Sequence, residues 1–119
     1  MRIQLINPNT SADMTYAMAL SAQAAALDST QIIASTPEHG PKSIECAFDE
    51  VIASAALLDL IEQGKLQGVD AHIIACFGDP ALDAARELAN APVIGIAEAG
   101  FQRVNTYFIS MVINIIAAA

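Results

Sequence analysis

Two periods of apolar and polar residues alternate along this chain. Short apolar runs at Ile3 to Ile6, Gln31 to Ala34, Ala71 to Ala75 and Pro92 to Ile96 read as buried strands. Asn7-Pro8-Asn9 ends the first of them as a turn. The stretches between have helical spacing. Thr10-Ser11-Ala12-Asp13 puts a hydroxyl three residues before a carboxylate, which predicts a capping box with Thr10 as cap and Asp13 reaching back. An alanine-rich helix then runs to Leu27, and Ser35 to Ser43 is a polar loop holding Pro37, Gly40 and Pro41. Phe48 to Leu66 places Val51, Ile52, Ala55, Leu58 and Ile61 at helical spacing and closes near Gly64 or Gly68. Asp79-Pro80 opens a third helix, with Asp as cap and Pro at the first helical position.

A βαβαβαβ order with short apolar strands predicts an α/β fold, a parallel four-stranded sheet flanked by helices on both faces. Right-handed crossovers follow. Ligands of such sheets bind beyond the carboxyl ends of the strands. That rule selects Asn7 to Ser11, Ser35 to Ser43, Cys76 to Asp79 and Ala97 to Gly100. There are no internal repeats and no Gly/Ser linkers, and 119 residues suffice for one domain. The stretch from Val104 to Ala119 is uncharged and almost wholly apolar from Phe108 to Ile116. It is short for a membrane helix, which needs about 20 apolar residues. The expected division is therefore an α/β domain over 1–100 and a divergent apolar segment over 101–119, with a truncated or altered end.

Composition narrows the function. Apolar residues make up 55% of the chain, enough for a packed core. The net charge is −8 with only five Lys and Arg, so nucleic acid and anionic membrane surfaces are poor partners, since both demand clustered cations. An exposed apolar tail would favour a homo-oligomer. The two cysteines, Cys46 and Cys76, and the two histidines, His39 and His72, lack metal-ligand spacing. The start Met1-Arg2-Ile3-Gln4 lacks a signal peptide's long apolar core, which favours a cytoplasmic, reduced chain. His72 lies in an apolar run and is expected to be a packed, hydrogen-bonded core histidine.

Two loops carry candidate chemistry. Asn7 to Ser11 is either a turn with a helix cap or a ligand loop, in which helix-start amides and polar side chains hold a carboxylate or polarised carbonyl. A phosphate loop would need glycines that are absent. In Ala75-Cys76-Phe77-Gly78-Asp79-Pro80, Cys76 ends a strand just before an expected helix N-terminus, whose positive end would favour the thiolate. Gly78 would let backbone approach a ligand. The competing reading makes Cys76 a small buried hydrophobe. Cys46, at the start of a helix, reads as filler.

Together, Ile6-Asn7-Pro8-Asn9-Thr10-Ser11, Pro41-Lys42-Ser43-Ile44-Glu45, Cys76-Phe77-Gly78-Asp79-Pro80-Ala81-Leu82 and Pro92-Val93-Ile94-Gly95-Ile96-Ala97-Glu98-Ala99 resemble the hydantoin racemase family, within the aspartate/glutamate racemase superfamily. The resemblance runs from about Arg2 to Gly100. It implies two related α/β domains facing across a cleft, each contributing one cysteine, and no metal, pyridoxal or nicotinamide cofactor. Cys76 matches the first cysteine. Asn7, Asn9 and Thr10 fall in the loop that holds the carbonyl or carboxylate end of a small-molecule substrate. The Phe77 and Gly78 amides match a neighbouring anchor, and Ser43 with Glu45 lies in a matching loop. The second cysteine would belong to the following domain, and Cys46 does not occupy its position.

Racemisation needs a base on one face of an acidified carbon and an acid on the other. Thiols suit this, with a free pKa of about 8.5. The implied function is a cofactor-independent racemase of hydantoins or related amino-acid derivatives. Rival readings are one-thiol protonation, as in the arylmalonate decarboxylase relatives, and a non-catalytic ligand-binding fragment. A receiver or nucleotide-binding domain shares the element order but would want an acidic cluster or a phosphate loop after the first strand.

Overall fold

The computed structural model describes residues 1–103, so the expectation for the uncharged tail lies outside the described residues. The chain forms β1 (Arg2–Ile6), α1 (Ala12–Ala25), β2 (Gln31–Ser35), α2 (Ala47–Gln67), β3 (Ala71–Ile74), α3 (Leu82–Leu88) and β4 (Val93–Gly95). Residues 96–103 are helical and follow β4 directly. All four strands are parallel in the order β2-β1-β3-β4, and each expected strand is present to within two residues at either end.

Strand alternation separates the two faces. Ile6 and Ile74 are register partners, and with Val93 they pack against Leu57, Leu60 and Ile61 of α2 and Ala85 of α3. Leu5 points the other way and borders the groove lined by Ala17, Met18 and Ser21 of α1. One face thus carries α1 and the other α2 with α3. Burying a large aliphatic side chain contributes about 1.5–3 kcal/mol, so the α2 face holds most of the core's stabilisation.

The stripe that α2 buries is Ala53, Leu57, Leu60, Ile61 and Gly64. Of the residues expected there, only Ile61 is buried; Leu58 packs partly against the core, while Val51 and Ile52 are exposed at 67% and 42%. The helix carries two apolar stripes, and contact with the sheet selects one of them. Gly64 sits inside the helix rather than at its end, and a Cβ there would overlap Gln4 Oε1 and His72 Cε1. Gly68, in left-handed backbone (φ 67°), closes the helix.

His72 is fully buried, as its apolar setting suggested. Gln4 Nε2 donates to the Leu60 carbonyl (2.9 Å) and to Ser35 Oγ (3.0 Å), which turns Gln4 Oε1 toward His72 Nδ1 at 2.7 Å. The network therefore assigns the proton to Nδ1. Nε2 has no partner among the described residues, and burial lowers the His72 pKa from its ordinary 6.5.

Candidate active site at the carboxyl edge of the sheet

The loop after β1 is built around Asn7, which is 1% exposed. Its Nδ2 donates to Asn9 Oδ1 (2.8 Å), Thr15 Oγ1 (3.0 Å) and the Ser11 carbonyl (3.1 Å), and its Oδ1 accepts the Asn9 amide (3.2 Å). Asn9 Oδ1 also accepts the Ser11 amide at 2.9 Å. These side chains replace the bonds that a chain leaving a strand must otherwise find. Among the described residues, Asn9 Nδ2 has only Met14 Sδ at 3.6 Å, a weak acceptor.

The N-cap of α1 is Ser11, whose Oγ accepts the Met14 amide at 3.4 Å. Thr10 does not cap. Its amide and hydroxyl both donate to the Pro41 carbonyl, at 3.0 and 3.4 Å, tying this loop to the one after β2. Two adjacent hydroxyl residues offered the same signal, and the long-range bond to Pro41 takes the first of them.

Cys76 follows β3 and is partly exposed with a free thiol. The expected helix does not begin beside it: α3 starts at Leu82, with Ala81 as its N-cap. Asp79 therefore does not cap α3, and Cys76 is not placed at that helix's N-terminus. Residues 76–81 instead form a tight turn in which the Asp79 amide donates to the Cys76 carbonyl at 3.0 Å. Among the described residues, the Phe77 and Gly78 amides donate to nothing. Phe77 is 77% exposed.

These loops enclose a cavity of about 450 Å³ lined by Asn7, Asn9, Ser43, Cys76 and Phe77 together with Met14, Met18, Ile44 and Ile96. Gly78 and Cys76 border an adjoining space with Cys46 and Glu50. Of the candidates named from sequence, the edge brings together Asn7, Asn9, Ser43, Cys76, Phe77 and Gly78, whereas Thr10 lines neither space. The apolar wall was not anticipated. Met14 and Met18 lie four apart on α1, and i, i+4 spacing on a helix leaving the ligand edge was the available signal. Cys46 is exposed at the N-cap of α2 and makes no side-chain cap; its neighbour Asp49 accepts the Glu45 amide at 3.0 Å, and that bond, with one from the Cys46 thiol, lowers the Asp49 pKa.

Among the described residues, no cluster of three or more His, Cys, Asp and Glu could hold a metal ion. No helix there is long and apolar enough to cross a membrane.

The family model described as Asp/Glu/Hydantoin racemase matches residues 3–116. The chain is 48% identical over 98 residues to a hydantoin racemase of Pseudomonas sp. (strain NS671), covering 82% of this chain and 39% of that protein. It is 49% identical over 102 residues to a hydantoin racemase of Rhizobium meliloti, covering 86% and 42%. Among solved structures, an allantoin racemase from Klebsiella pneumoniae superposes with a TM-score of 0.87 at 53% identity, over 89% of this chain and 43% of that one. The allantoin racemase AllR of Pseudomonas fluorescens gives 0.74 at 35% identity, over 83% and 42%. The chain thus spans about two fifths of the length of the relatives it matches.

Proposed function

This chain belongs to the Asp/Glu/hydantoin racemase family, and on that premise we propose that it supplies one half-site of a cofactor-independent racemase acting on hydantoins or related amino-acid derivatives. The observation that carries the reading is a half-exposed thiol, Cys76, on the same cavity as Asn9 and beside two backbone amides with no acceptor among the described residues.

In the proposed reaction the Cys76 thiolate removes the proton from the ring carbon next to the carbonyl. The sulfur gains that proton and the bonding electrons pass to the carbonyl oxygen. The Phe77 and Gly78 amides, with Asn9 Nδ2, stabilise the developing oxyanion; one such preorganised donor contributes roughly 3–4 kcal/mol. Ser43 borders the substrate, and Asn7 holds Asn9 in place. A second acid returns a proton to the opposite face. By family likeness that acid is a second thiol, assigned here to the portion of the relatives that this chain does not match. One thiol serves one face, so the 119-residue chain alone is expected to exchange the proton more readily than it inverts the centre.

The deciding experiment incubates the chain with an optically pure 5-substituted hydantoin in D₂O at neutral pH and follows deuterium entry at C5 by NMR, with optical rotation in parallel. Exchange faster than the protein-free control, and lost in Cys76→Ala, supports the proposal. Exchange at the same rate in Cys76→Ala removes Cys76 from it. Saturable hydantoin binding with no exchange would favour a ligand-binding module.

A further inference from the structure

The turn that carries Cys76 is held from outside itself. Asp79 has a left-handed backbone, φ 44°, as does Ala81 at φ 53°, a conformation uncommon for residues with a Cβ, though Asp adopts it more readily than Ala. The Asp79 carboxylate reaches across to the end of β4, where Oδ1 accepts the Ala97 amide at 3.0 Å and Oδ2 the Glu98 amide at 2.7 Å. Those amides open the helical segment 96–103, where unpaired N–H groups and the helix dipole favour an anion. Bonds to a charged acceptor are about twice as strong as neutral ones.

Two neighbours show how close this contact is. A Cβ at Gly95 would overlap the Asp79 carboxyl group, so glycine at the end of β4 leaves the carboxylate the space it occupies. Ile96, lying between Gly95 and the capped amides, lines the substrate cavity together with Cys76 and Phe77. Glu98 is also ion-paired with Arg86 of α3, whose Nε donates to the Val93 carbonyl at 3.2 Å. The segment that Asp79 grips is thus anchored on its far side as well.

We propose that Asp79 is the positioning residue of the thiol turn: by capping the helix after β4 it fixes the gap between Cys76 and Ile96, and so the placement of the reacting carbon against the sulfur. This rests on the reading of Cys76 as the proton-transferring thiol. Misplacement by about 1 Å is enough to lower turnover by roughly 10²-fold.

The test uses the full chain with Asp79→Ala, Asp79→Asn and Gly95→Ala. The first removes both acceptors, the second keeps the size and one acceptor, and the third displaces the carboxylate without altering it. Iodoacetamide labelling of Cys76 is read by peptide mass spectrometry across neutral to alkaline pH, with Cys46 of the same molecule as reference. C5 exchange is measured for kcat and KM separately. Expected for Asp79→Ala are a kcat about 10²-fold lower, KM within about threefold, and a displaced pH profile of the Cys76-to-Cys46 labelling ratio, with Asp79→Asn in between and Gly95→Ala following Asp79→Ala. Folded variants that lose stability but keep the wild-type ratio, profile and kcat would overturn the proposal. Should Asp79→Ala fail to fold, Asp79→Asn and Gly95→Ala decide it by the same readouts. If the wild-type chain exchanges no hydantoin proton, the proposed function falls, while the labelling ratio still decides the role of Asp79.

Discussion

The loops after β1 and β3 stand side by side at the same edge and are stabilised in opposite ways. The β1 loop satisfies itself. Asn7 and Asn9, both buried, spend their amides on each other, on Ser11 and on Thr15. The β3 loop has one internal amide bond across its turn, two residues in left-handed backbone and an exposed Phe77, and it is tied down at a distance by Asp79. The first behaves as a floor whose hydrogen bonds, apart from those of Asn9 Nδ2, are committed before any ligand arrives. The second keeps a thiol and two amides uncommitted. Preorganised support on one side and unspent donors on the other are what a proton-transfer site requires.

Removing the sulfur should break this contrast most sharply. Cys76→Ala is expected to lower C5 exchange by about 10³-fold or more, with the urea midpoint nearly unchanged. The same truncation in the floor should do the reverse. Asn7→Ala takes the acceptor from the Asn9 amide and one donor each from Asn9 Oδ1, Thr15 Oγ1 and the Ser11 carbonyl. Unfolding in urea should show a loss of about 2–3 kcal/mol, with exchange falling only as far as Asn9 loosens. If Asn7→Ala proves as stable as wild type, the loop is held by its backbone and the contrast fails.

A pH titration sharpens the comparison from beneath the edge. The His72 pKa is lowered in the fold, so below about pH 6.5, its unfolded value, the unfolded chain binds the proton more readily. The stability contribution is complete above that pH and is lost as pH falls from there toward the lower folded value. The expected slope is up to about 1.4 kcal/mol per pH unit, read from urea unfolding at a series of pH values and abolished in His72→Leu. The smallest stability effect belongs to Gly78→Ala. A Cβ there meets only Cys76 Sγ at 3.9 Å, so stability should stay within about 0.5 kcal/mol. A rise in KM for exchange would then mark a ligand that needs the space.

Element order was legible because each strand is a short apolar run closed by turn residues and each helix has its own period. Local signals erred where a distant group took the residue. Thr10 fits the capping pattern, but Pro41 claims it and Ser11 caps instead. Asp79 fits the cap pattern for α3 but does not cap it: Ala81 is the N-cap, and the amides that the Asp79 carboxylate accepts lie 18 and 19 residues further on. On α2 the two apolar stripes are equivalent until the sheet selects one. At the candidate site, Asn9, Ser43 and Cys76 could be placed from the strand-end rule and the family motif, whereas Met14 and Met18 carry only their i, i+4 spacing on α1, a faint mark in a sequence already rich in apolar residues.

The strand order has a kinetic consequence. β1 precedes β2 and β3 in the chain, yet it lies between them, and its register with β3 joins Ile3 to Ala71 and Ile6 to Ile74. Pairings this far apart in sequence form slowly. β1 therefore waits for the chain through β3 before its second side is closed, and refolding should be limited by the docking of β3 rather than by growth of the helices.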